Sequence, residues 1–147
     1  MARLRANFAH LVAAWVMALQ NIPVMVVTTE MSGEEVTERI QYMQAGIDPE
    51  RIRRTGADQQ QKYDIRAAGE AMREWPLYIT DVGEIPLSVL RSEVRRQVAA
   101  HDIQLVIIDH IQHVRVPGAV GVQELTMATA GIKGIAMNES LPILQVS

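Results

Sequence analysis

Apolar side chains fill nearly every position from 7 to 20, a pattern that predicts a helix buried on most of its faces. Asn21 and Pro23 break it, and the β-branched run "VMVVTT" that follows predicts a strand. A second helix opens at "EMSGEEVTERIQYMQAG". Ser32 stands as its N-cap, Glu35 as the capping-box partner three residues on, and Gly46 as its stop. The same grammar recurs in "DPERIRRTG", with Asp48 as cap, Pro49 at the first helical position and Gly56 as terminator. A polar stretch from Asp58 to Glu74 predicts a further helix ended by Pro76, and "LYIT" from Leu77 predicts a strand.

After a turn at Gly83 to Pro86, Leu87, Leu90, Val94 and Val98 share one helical face. Leu105 to Ile108 is continuously aliphatic, so it predicts a strand covered on both sides, as in parallel sheets. A Gly/Pro loop, "VPGAVG", leads to a helix over about 123–138, and "LPILQVS" predicts the last strand. Strands alternating with helices imply right-handed crossovers and an α/β fold, a mostly parallel sheet flanked by helices in a single domain. Ligands collect at the carboxyl ends of such strands. Three acids fall there: Glu30, Asp81 and Asp109.

Composition narrows the classes. The chain has 147 residues, 48% hydrophobic and 21% charged, which is globular and large enough for one core. Aromatics are only 4%, so the core is aliphatic, with eight methionines as adaptable filler. A net charge of −3 gives no global basic field for nucleic acid, so any such contact must be local. Without cysteine there are no disulfides or thiolate metal sites. Phe8 to Val27 is the one greasy stretch with a membrane-like look. Pro23 splits it into parts too short to span a bilayer, so no membrane segment and a cytoplasmic location are expected.

Four apolar residues followed by Asp109 form the pattern of a Walker B strand, whose carboxylate orients Mg²⁺ through water. Loop capping by a strand-terminal aspartate is the plain alternative. Glu30, two residues past a buried strand, is placed to align and deprotonate an attacking water, or else simply to favour the dipole of the next helix. His110 and His113, with His101 and Asp102 nearby, raise a zinc site as a rival to polar loop residues. The arginine clusters 51, 53, 54 and 91, 95, 96 read as solvated helix faces.

Five strings in order, "TTEMS", "RRTG", "LYITD", "LVIIDHIQ" and "QELTMATAGIKGIAMNESLPILQVS", resemble the RecA-like motor domain of DnaB-type replicative DNA helicases over nearly the whole chain. The family's own wording is close to "SLEMS", "IVIDYLQ" and "PVIALSQ". The resemblance implies an ATP- and Mg-dependent motor that assembles as a hexameric ring on single-stranded DNA. It matches Glu30 to the glutamate that activates water and Asp109 to the metal-holding aspartate. Gln112 matches the glutamine that follows, with no role assigned. Residues 115–123 match the channel loop, making Arg115, Gly118 and Gly121 the candidate DNA contacts.

The chain departs from the family in two places. No G-x-x-x-x-G-K-[ST] string occurs; alignment from Glu30 puts Arg5 and Ala6 where its lysine and hydroxyl residue belong, leaving Arg5 as a degenerate phosphate contact. The sensor glutamine and the strands carrying the arginine finger are also missing, as is the domain that binds primase. The expectation is therefore a gene fragment, a shortened piece or one part of a split protein, inactive in isolation. Its sheet should lack a central strand, and "LPILQV" should be an exposed, self-associating edge. Two other readings stay open: a non-catalytic relic or assembly module, and another RecA-family ATPase.

Overall fold

The computed structural model describes residues 9–147. Six α-helices lie among the strands, three of them in succession between the first two strands: α1 Ala9–Leu19, α2 Gly33–Ala45, α3 Pro49–Thr55, α4 Gln59–Met72, α5 Leu87–His101 and α6 Gly121–Asn138. The strands are β1 Val24–Thr28, β2 Leu77–Asp81, β3 Ile85–Pro86, β4 Leu105–Asp109, β5 Val114–Arg115 and β6 Ile143–Val146. A four-stranded sheet runs in the order β2-β1-β4-β6, and β3 pairs with β5 in a small second ladder. Every pairing is parallel.

The continuous aliphatic strands are explained by helices on both sides. Val24, Val26 and Ile107 pack with Leu11 and Ala14 of α1 and with Val36 and Ile40 of α2. Met25, Val27, Val106 and Ile108 face the other way, against Leu90 and Val94 of α5 and Ala128, Ile132 and Ile135 of α6. Alternate residues of one strand therefore feed two separate cores, which is why the aliphatic run from Leu105 to Ile108 is unbroken.

Local signals place the helix ends. The Ser32 side chain accepts from the Glu35 amide at 3.1 Å and the Glu35 carboxylate accepts from the Ser32 amide at 2.8 Å, a complete capping box. Gly46 closes α2 at φ 68°, a conformation that costs other residues their Cβ clearance. Asp48 caps α3 ahead of Pro49. Asp58 and Gln61 form a second capping box at the start of α4.

Two expectations change. Helix α1 is not buried on most faces: Leu11, Ala14 and Ala18 are covered, whereas Val12, Val16 and Leu19 are 42%, 39% and 49% exposed. A helix laid on a sheet buries one stripe, whatever the character of the other side. Strands β4 and β6 pair directly, Val106 opposite Ile143 through Asp109 opposite Val146. Strand β6 is the sheet's edge among the described residues, as the sequence predicts, with Leu144 40% exposed. Finally, the segment read as a loop from Arg115 to Gln123 starts in strand β5 and ends inside α6. Among the described residues no helix is long and apolar enough to cross a membrane.

Candidate active site

Strands β1 and β4 are neighbours in register, so Thr28 lies opposite Asp109 at the carboxyl edge of the sheet. Just beyond, a tight turn forms: the Thr28 hydroxyl donates to the Met31 carbonyl at 2.9 Å and lies 3.3 Å from the Met31 amide, which donates to it. Glu30 sits at the tip of this turn, with its side chain 57% exposed. Ser32 already caps α2, and the Asp81 carboxylate accepts from the Gly33 amide at 2.8 Å. The helix-entry role is thus filled by other residues, and the Glu30 carboxylate lies 3.2 Å from His110 Nε2 instead.

Asp109 is nearly buried, its side chain 6% exposed. Its register partner Thr28 and its alternation with Ile107 turn it toward the α1 side of the sheet. There His10 Nε2 lies 2.9 Å from Asp109 Oδ2, while His110 Nδ1 lies 3.3 Å from Oδ1. One imidazole ring therefore touches both acids, Nδ1 toward Asp109 and Nε2 toward Glu30. The Asp109–His110 peptide bond is cis.

Thr29 fastens the two strand ends together. Its amide donates to the Asp109 carbonyl at 2.7 Å, its hydroxyl accepts from the His110 amide at 2.9 Å, and His113 Nδ1 is 2.9 Å from the same hydroxyl. The sequence offered no sign of Thr29, because its partners lie about eighty residues away along the chain. Thr29→Val keeps the shape and removes the hydroxyl from buried partners. It should cost about 1–3 kcal/mol, read as a shift in the urea midpoint with unchanged slope.

The segment matched to the channel loop holds its one arginine in ion pairs. The Arg115 guanidinium pairs with Glu84 and, at 3.2 Å, with Glu124, whose other oxygen accepts from the Val116 amide at 3.0 Å. The hydrogen bond from Arg115 holds the Glu84 carboxyl below the usual carboxylate range. Gly118 and Gly121 adopt φ +81° and +59°, so both are explained by backbone conformation. Between and beside them Val120 and Val122 are 79% and 82% exposed. Gln112 is exposed. Arg5 lies outside the described residues.

The histidines do not assemble a zinc site, for among the described residues no group of three or more His, Cys, Asp or Glu could hold a metal ion. Asp109 alone presents a buried carboxylate oxygen, Oδ1, with no hydrogen-bond partner. An oxygen of that kind fits the water shell of a hard divalent cation.

The replicative DNA helicase DnaB of Nostoc sp. is 31% identical over 143 residues, covering 96% of this chain and 16% of that protein. The Rickettsia bellii replicative DNA helicase DnaB is 31% identical over 121 residues, covering 80% of this chain and 24% of its own length. The chain thus spans less than a quarter of these curated relatives. Among solved structures, an ATPase domain superposes with a TM-score of 0.82 at 18% identity, over 93% of this chain and 50% of the other. A DnaB-like replicative helicase described with its primase interactions superposes at 0.80 and 18% identity, over 91% and 34%. The parallel sheet flanked by helices is that of these ATPase domains. The family model for the DnaB-like helicase C terminal domain matches residues 4–147, and with strands and acids in the order described, the chain belongs to that family.

Proposed function

We propose that this chain forms the core of an ATP-driven replicative helicase motor, which in the complete protein works as a hexameric ring on single-stranded DNA. The observation that carries the reading is the meeting of Glu30 and Asp109 at adjacent strand ends, joined by the ring of His110. Magnesium–ATP, when bound, supplies the phosphoanhydride to be cut and the charge that stabilises the transferred phosphoryl group. Asp109 is the residue to hold the cation through water, and Glu30 the residue to orient and deprotonate the attacking water. Thr29 keeps the two acids at a constant separation by tying β1 to β4.

The phosphate cradle is not in this sequence, which has no glycine-rich lysine string. The chain's own residues therefore fit the metal and water side of the site and not the phosphate-binding side. DNA contact falls to backbone amides around Gly118 and Gly121, since Arg115 is engaged by two glutamates. A small electrostatic contribution follows, with a shallow dependence of DNA affinity on salt. The net charge of −3 favours a second reading, a non-catalytic assembly module that keeps the fold for subunit contacts.

Equilibrium binding of a fluorescent ATP analogue, with DNA-stimulated hydrolysis by the complete protein, separates the two. The motor reading expects saturable binding and hydrolysis that rises with single-stranded DNA. Absence of both, in a folded protein, leaves the module.

A further inference from the structure

Five buried side-chain atoms among the described residues lack a hydrogen-bond partner, and three of them meet at one carboxylate: Asp109 Oδ1 belongs to it, and His10 Nε2 and His110 Nδ1 lie against it. Such a cluster requires an explanation, because buried polar groups without partners are costly. His10 is the more telling of the two histidines. It sits in the first turn of α1, its side chain is 3% exposed, and its Nε2 lies 2.9 Å from Asp109 Oδ2 without the alignment of a hydrogen bond. It lies on the same apolar stripe as the buried Leu11, Ala14 and Ala18, where it is the one polar side chain.

We propose that His10 is a latch that competes with the divalent cation for Asp109, and so sets how tightly this chain takes metal. The inference rests on Asp109 being the cation-holding residue. In the latched arrangement Asp109 has His10 against one oxygen and His110 against the other, and it is walled from solvent. Opening requires the buried His10 side chain to leave the Asp109 carboxylate. The neighbouring ring stays tied through its backbone, because the His110 amide donates to Thr29.

The sign of one substitution decides between latch and ligand. The probe is Mn²⁺ alone, titrated into the 147-residue chain and followed by the paramagnetic resonance signal of the free ion. His10→Leu should tighten Mn²⁺ binding by about tenfold, and adding Asp109→Asn should cancel the gain. Unchanged or weaker binding in folded His10→Leu, or no binding by either form, overturns the latch. If His10→Leu binds tightly and Asp109→Asn changes nothing, the cation is elsewhere, and the assignment of Asp109 falls instead. Should circular dichroism show that His10→Leu does not fold, the wild-type chain answers the question. The ring-nitrogen resonances of His10 should move as Mg²⁺ saturates the site, and a saturating titration that leaves them still overturns the proposal.

Discussion

Glu30→Gln in the complete protein should lower ATP turnover by about two to four orders of magnitude and leave nucleotide binding nearly unchanged. The substitution is close to isosteric, and the amide can still meet His110 Nε2 where the carboxylate lies 3.2 Å away. What it removes is the capacity to accept a proton from water. Glu30 is also a favourable site for a clean experiment, because its side chain is 57% exposed and caps no helix. Little stability is at risk when it changes. Single-turnover hydrolysis alongside analogue binding is the measurement. Turnover within a few-fold of wild type would remove Glu30 from the chemistry and leave its contact with His110 as a surface ion pair.

The largest stability effect is expected at Ile107. It is fully buried at the centre of the sheet, on the α1–α2 side, in the same strand and on the same face as Asp109. Ile107→Ala should cost about 2–5 kcal/mol, a large share of the roughly 5–15 kcal/mol that holds a domain together. Leu144→Ala, at a 40% exposed position of the edge strand, is the control and should stay within about 0.5 kcal/mol. Urea unfolding monitored by circular dichroism compares them. If Ile107→Ala proves as mild as Leu144→Ala, the close packing of β4 between two helical layers is wrong, and the burial of Asp109 must be reconsidered with it.

These two residues differ in how visible they were. Ile107 could be placed from the unbroken aliphatic run alone, since a strand with no polar alternation has two covered faces. Glu30 and Asp109 were both legible as acids at strand ends. That they meet through His110 was not, because strand order must be known before residues eighty apart can be called neighbours. The strands β3 and β5 escaped altogether. Two residues carry no periodicity, and their pairing depends on where the β2–α5 and β4–α6 connections lie in space. The partners of Arg115 were hidden for the same reason, since Glu84 and Glu124 reach it from elements whose placement the local sequence does not give.

What the sequence determined by itself is whatever a few adjacent residues decide. The box of Ser32 and Glu35, the left-handed stop at Gly46 and the Asp48–Pro49 helix start each depend on groups within four positions of one another. The helices and long strands follow from those signals, and so does their alternation into a parallel α/β layer. Tertiary structure decided what lies across that layer. It set the apolar outer stripe of α1 toward solvent, since one sheet face can cover only one side of a helix. It seated His10 against Asp109, since crossover connections bring the start of α1 to the end of β4, and no local interaction between residues so distant in the chain could have announced it.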